Sequence, residues 1–330
     1  MASDMALRDR DMPWRIGLAQ FCRTRAARVE MTTRRRRDVE EVLHPELVEQ
    51  GEHVWLWVEK TGQNTEFVAE QIAKKAKVKQ MDIGFSGLKD RWAVTRQWFS
   101  VYLGKKPEPD WFALDIEGVK ILRHGRYPKK LRRGEHAANK FELVVRDIEN
   151  GGDLDAALRS IKAQGFPNYF GAQRFGFQGA NLSRGELFFG GKIKASRSQR
   201  SFYLSAARSF LFNLNLAEAV INKVWCSDTE GGPLYGDEQP GILELKQAEK
   251  NLLNQYSVFA QAIHKNRLKL ERRPFAIIPE NFSWTLDADT LRLSFVLPSG
   301  AFATSLLAEF MDYDVALGAQ STATISEEKV

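Results

Sequence analysis

The chain has 330 residues, 43% of them hydrophobic, and a formal net charge of +6. This composition excludes a disordered chain, and the length implies two domains or one domain with a large insertion. Two distant cysteines (Cys22 and Cys226), five scattered histidines without i,i+4 spacing and no apolar run of about 18 residues exclude a disulfide framework, a helical metal site and a transmembrane helix. With no signal-like apolar segment at the N-terminus, the cytoplasm is the default compartment.

Along the chain, residues 1–38 read as a poorly structured basic segment, because RTRAARVEMTTRRRR carries seven arginines against Glu30 alone. HVWLWVEK, His53 to Lys60, reads as a strand. NTEFVAEQIAKKAKV reads as a helix capped by Asn64 or Thr65, with Val68, Ile72 and Ala76 on one face. MDIGFS is a strand, GLKD its turn and RQWFSVYL a further strand. A basic stretch from Arg123 to Lys140 leads into the strand FELVVRDI, and Asp153 caps a short helix with Leu154, Leu158 and Ile161 inward. GFPNYFGAQRFGFQGANLSRG, residues 165–185, is dense in Gly, Asn and aromatics and reads as a long ordered loop. SFYLSAARSFLFNLNLAEAVINKV is a helix capped by Ser201, and a long helical stretch is expected from about Leu243 to Arg272. LRLSFVLP alternates as a strand, SGAFATSLLAEFM turns into a helix, and the polar tail frays. The first half has no strict βαβ rhythm, so an α+β arrangement with much antiparallel sheet is expected.

Three basic clusters, Arg123–Arg133, Lys192–Arg200 and Lys265–Arg273, suit a polyanion, although each also fits a solvated face. Interleaved rings, including Tyr127, Phe141, Tyr169, Phe170 and Phe175, favour RNA, whose splayed bases stack on aromatic faces. NYFGAQRFG is either a packed structural loop or a substrate contact, and GFQG matches the GxxG loop of KH domains without their helix pattern. Phe141 is either core, since it alternates with Leu143 and Val145, or a ring offered to a base. GFSGLKDRWAVTRQWFS poses the sharpest question. Asp90 sits between Lys89 and Arg91, after Gly84 and Gly87, which are expected to shape its bend. It is either a turn residue or a lone ionised nucleophile or base, and an ionised buried carboxylate needs a cation beside it.

GLKDRWAVTRQWFSV resembles the signature of the TruD family of tRNA pseudouridine synthases. NYFGAQRFG, SFYLSAARSFLFN and LPSGAFATSLL match further family motifs in the family's order, and GEHVWLWVEKTGQNTEFVAEQIA fits its early strand and helix. The resemblance spans roughly Val39 to Asp312. It implies isomerisation of uridine to pseudouridine at position 13 of transfer RNA, without cofactor or metal and with no obligate protein partner. It further implies a catalytic role for Asp90, a stacking role for Phe141 against the target base, and a place for Asn139 beside the site. The implied fold is a catalytic domain with a mixed, mainly antiparallel sheet (residues 39–164 and 279–315), an inserted TRUD domain (165–278) and a polar tail (316–330).

Two departures stand out. MTTRRRRDVEE replaces the family's basic residue and Pro-x-Asp-Phe stretch, so no lysine is evident there to pair with Asp90. The insertion is short between Lys223 and Leu243. The rival reading is therefore a catalytically impaired RNA-binding protein of the same fold. The two readings separate on one expectation: a catalyst brings some Lys or Arg to Asp90.

Overall fold

The structure is a computed structural model that describes residues 28–29, 37–146, 148, 154–176 and 179–313. Most of the basic segment 1–38, the tail 316–330, the Asp153 cap, the centre of GFQG and Cys22 lie outside the described residues.

In chain order the first half contains β1 (Arg37–Val42), β2 (His53–Lys60), helix α1 (Thr65–Ala76), β3 (Ile83–Phe85), β4 (Val94–Tyr102), β5 (Val119–Tyr127), β6 (Ala138–Val145) and helix α2 (Leu154–Gln164). A short strand, β7 (Phe166–Pro167), precedes α3 (Ala180–Phe189), α4 (Arg197–Ile221), β8 (Gly232–Leu234), α5 (Gln247–Gln255), α6 (Ser257–Lys265) and β9 (Glu271–Arg273). The chain returns through β10 (Ala276–Ile277) to β11 (Glu280–Asp287), β12 (Thr290–Pro298) and α7 (Ala303–Leu307).

One eight-stranded sheet runs β11-β12-β6-β1-β4-β2-β5, with β3 pairing the C-terminal end of β4. The β1–β4 pair is parallel and every other pair in this sheet is antiparallel. The sheet is thus mixed and mainly antiparallel, as expected of the α+β class.

Alternation puts the apolar side of β2 (Val54, Leu56, Val58) against α1, whose Val68, Ala69, Ile72 and Ala76 are buried. At the other end, Leu143, Val145, Leu293, Phe295 and Leu297 pack under α2 and α7. Trp55, Trp98 and Leu131 form a smaller cluster of their own.

β7 and β10 pair antiparallel, Phe166 opposite Ile277 and Pro167 opposite Ala276. Between these two strands the chain builds a separate core around α4, with Phe175, Ala206, Leu211, Phe212, Leu216, Tyr235 and Leu270 buried.

Three local expectations differ from the structure. Helix α4 starts at Arg197 rather than Ser201, because Ser196 and Gln199 form a reciprocal capping box at 3.3 and 2.8 Å. The helix expected over Leu243–Arg272 is two short helices broken at Tyr256 (φ −111°, ψ 54°). It ends where Arg267 turns left-handed (φ 49°), and Glu271–Arg273 pairs with β8 instead. The long loop from 165 to 185 contains the start of α3, entered at Gly179 with φ 73°.

Candidate active site

The GLKD loop lies between β3 and β4, and its position follows from the strands beneath it. Cross-strand register places Lys60 opposite Thr95, Thr95 opposite Val39, Val39 opposite Phe141 and Phe141 opposite Phe295. Register partners share a face, so these side chains form one transverse row. Lys60 and Phe141 are three strand spacings apart in it, roughly 14 Å. In the next row of that face Glu41 opposes Asn139, which opposes Leu297.

Lys60 ends the apolar face of β2, where alternation calls for a core residue, and it has no accessible surface. Its ammonium spends its three donors on carbonyls: Gln63 O at 2.9 Å, Asp90 O at 2.9 Å and Lys89 O at 3.3 Å. Burial pushes its pKa down to about 8; the Asp90 charge opposes that shift and the Lys89 charge adds to it. A cation therefore does reach Asp90, at its backbone carbonyl, and it comes from β2.

Asp90 itself is exposed, and its Oδ1 accepts the Trp92 N–H at 3.0 Å. Arg91 turns aside. Its Nε donates to Gly62 O at 2.8 Å and its guanidinium lies 5.2 Å from the Trp92 ring centroid.

Lys89 points the other way, into the sheet. Its Nζ lies 3.0 Å from Glu41 Oε1 and 2.7 Å from Asn139 Oδ1. Burial lowers the Lys89 pKa and the Glu41 charge and hydrogen bond resist that. The Glu41 carboxylate is fully buried and both its oxygens are engaged: it also accepts the Ser86 hydroxyl and the Trp98 backbone N–H, the latter at 3.1 Å. Asn139 is fixed at both ends, since its Nδ2 is 3.2 Å from His136 Nε2. An amide nitrogen only donates, so His136 accepts there, as a neutral ring. Burial lowers the His136 pKa and Lys89 lowers it further, while Glu41 raises it.

The loop is also held from below by uncharged groups. Thr65 Oγ1 accepts the Lys89 N–H at 3.0 Å and donates to Gln97 Oε1 at 2.9 Å, and Gln97 Nε2 donates to Gly87 O at 3.1 Å. Of the two glycines expected to shape the bend, only Gly84 is sterically required. A Cβ there would lie 2.2 Å from Leu131 O and 2.5 Å from Ser100 Oγ, whereas one at Gly87 would meet His136 Cε1 at an ordinary 3.5 Å.

Phe141 lies two residues from Asn139 on the same face of β6, half-buried, with its ring stacked on Phe295 at 5.3 Å and 24°. Asn139 is thus tied to the loop that carries Asp90, through Lys89, and Phe141 stands next to it in the sheet. Lys60, Glu41, Thr65, Gln97 and His136 escaped the sequence reading as site residues, and Lys89, offered there as a cation for Asp90, serves Glu41 and Asn139 instead. One signal was present: a lysine at the fourth apolar position of V-x-L-x-V-x-K. Among the described residues, no group of three or more His, Cys, Asp or Glu is placed to hold a metal ion.

The basic clusters divide by use. Arg126 bonds Glu108 and Gly51 O, and Arg272 is neutralised by Glu249 through two bonds, so both hold structure. Arg123, Lys129, Arg132 and Arg133 remain exposed.

This sheet, with a carboxylate loop over its middle strands and a helical segment before its last two, has the fold of a pseudouridine synthase. It matches the crystal structure of the putative tRNA pseudouridine synthase D of Methanosarcina mazei with a TM-score of 0.59 over 87% of this chain and 93% of that one. The identity is 18%, so the match concerns the fold. The family model for tRNA pseudouridine synthase D (TruD) matches residues 32–194. The chain is 39% identical over 313 residues to the tRNA pseudouridine synthase D of Methylococcus capsulatus, covering 84% of this chain and 88% of that protein. It is 43% identical over 282 residues to the one of Cellvibrio japonicus, covering 79% and 82%. The chain belongs to the tRNA pseudouridine synthase D family.

Proposed function

We propose that this protein isomerises uridine to pseudouridine in transfer RNA, at position 13, with Asp90 as its catalytic residue. The observation that carries the role of Asp90 is the buried Lys60 ammonium, bonded to the Asp90 carbonyl and coupled to its charge. It supplies the nearby cation that an ionised carboxylate needs in a closed complex. That answers the expectation separating a catalyst from an impaired RNA binder, and it favours the catalyst.

In this reaction the N1–C1′ bond breaks, uracil turns, C5 bonds to C1′, the C5 proton leaves and the freed N1 takes up a proton. Asp90 assists either by adding to C1′ or by taking a proton from the sugar. The target base must leave its stack, and the exposed part of the Phe141 ring offers it a surface. Asn139, held by Lys89 and His136, keeps a fixed amide beside that surface. The chemistry asks for no cofactor.

The same reading treats residues 165–278 as an inserted TRUD domain and residues 39–164 with 279–315 as the catalytic domain. The β7–β10 pair and the separate core around α4 support that division. No helix among the described residues is long and apolar enough to cross a membrane, and a cytoplasmic location suits a transfer RNA substrate.

The test is tritium release from transfer RNA labelled at uridine C5, with the parent and Asp90→Asn compared. The variant should lose about 10⁴-fold or more in rate, the scale of removing a catalytic carboxylate or nucleophile, while still binding RNA. Equal release from both proteins would remove Asp90 from the mechanism.

A further inference from the structure

Two guanidiniums rest on one ring where the inserted segment meets the sheet. The Arg273 carbon lies 4.1 Å from the Phe170 centroid and the Arg174 carbon 5.2 Å from it. Neither forms an ion pair with a carboxylate among the described residues. The adjacent residue shows the usual solution: Arg272 is neutralised by Glu249. Burial alone lowers the Arg174 pKa, and burial with the charge of Arg174 lowers that of Arg273 to about 9.

Their hydrogen bonds leave donors over. Arg273 uses Nε and Nη2 on Asn168 O, Asn168 Oδ1 and Gly300 O. Arg174 uses Nη1 on Ser205 Oγ at 3.0 Å, and its buried Nε meets no acceptor among the described residues. Two like charges over one ring, coupled to each other and without a carboxylate among the described residues, suit an anion.

The pair also borders the candidate site. Gly300, which accepts from Arg273, lies three residues beyond Leu297, the register partner of Asn139, and the Ser299 N–H bonds Ala137 O at 2.9 Å. Phe302 in the same turn lies 6.0 Å from Phe170, centroid to centroid.

We propose that Arg174 and Arg273, spaced by Phe170, bind a backbone phosphate of the RNA substrate at this seam and so orient the strand that enters the Asn139 side of the site. This rests on the RNA substrate argued above. A phosphodiester supplies the missing counter-charge, and the planar fork of arginine fits its oxygens. The basic residues on the exposed loops add unspecific attraction; this pair fixes one phosphate.

Arg174→Gln and Arg174→Lys test it, because Arg273 also holds Asn168 and Gly300 and its loss would disturb the fold. Transfer RNA binding is measured against potassium chloride concentration, without turnover, alongside thermal unfolding. In Arg174→Gln the plot of log affinity against log salt should become shallower by about one, the release expected for one phosphate contact. Arg174→Lys should restore the slope. The melting temperature of Arg174→Gln should be unchanged or higher, since an uncompensated buried charge is removed. An unchanged slope in Arg174→Gln overturns the proposal, and a lower melting temperature with that unchanged slope assigns the pair to structure. Parent protein that releases no tritium yet shows the slope change would reject the isomerase reading and keep the phosphate site.

Discussion

The buried Lys60 makes a quantitative demand on stability. Its pKa is about 8 in the folded protein, against an ordinary lysine value of 10.5. The group is fully buried, so the shift is not diluted by solvent. Between these two values the unfolded chain binds a proton that the folded protein has released. Stability from this group therefore rises with pH across that window, and below pH 8 the full cost of holding the charge inside is present. Integrating the two titrations from pH 7 to pH 10 gives a gain of about 2.5 kcal/mol. Other lysines and tyrosines titrate in the same range, so the effect is read as a difference from Lys60→Met, which keeps the volume and has no proton to lose. Urea unfolding at a series of pH values should show the parent gaining about 2.5 kcal/mol on Lys60→Met between pH 7 and pH 10. A flat difference, or one that falls with pH, would refute the reading of Lys60 as a strained buried cation.

Glu41→Gln should cost about 3 kcal/mol in urea unfolding, because it leaves Lys89 buried beside a neutral amide; combining it with Lys89→Met should recover part of that loss. Glu309 is half-buried, its buried Oε1 lacks a hydrogen-bond partner among the described residues, and burial pushes its pKa up to about 8. Between the ordinary 4.5 and 8 the folded protein holds a proton the unfolded chain has lost, so stability falls as pH rises. Glu309→Gln should therefore gain on the parent by about 3–4 kcal/mol between pH 5 and pH 8.5 in the same assay. Gly84→Ala should lower stability by about 2–3 kcal/mol, since its new carbon meets backbone at Leu131, while Gly87→Ala should change it far less.

Much of the secondary structure was legible because its signals are local. The run from His53 to Lys60 is rich in strand formers, Val68, Ile72 and Ala76 repeat at helical spacing, and both elements form where expected. Errors fell where two local signals compete. Ser196 and Ser201 are both plausible caps, and the side chain of Gln199 decides between them. The stretch after Leu243 has helical composition throughout, but Glu271–Arg273 has a strand partner in β8, which local periodicity does not record.

The candidate site divides the same way. The peptide GFSGLKDRWAVTRQWFS, its aromatic neighbours and the ordered family motifs were enough to single out Asp90, Asn139 and Phe141 as chemical types in a recognisable order. They could not say what stands beside Asp90, and the sequence neighbours Lys89 and Arg91 were the natural guesses. In the folded protein Lys89 turns to Glu41 and Asn139, Arg91 turns to Gly62, and the Asp90 carbonyl is met by Lys60, thirty positions earlier. Partner choice of this kind depends on strand register. The pairing of β2 with β4, of β4 with β1 and of β1 with β6 brings residues 60, 95, 39 and 141 into one row. Alternation along a chain says which face a residue takes; only the assembled sheet says which residues share that face, and so which charges must neutralise one another away from water.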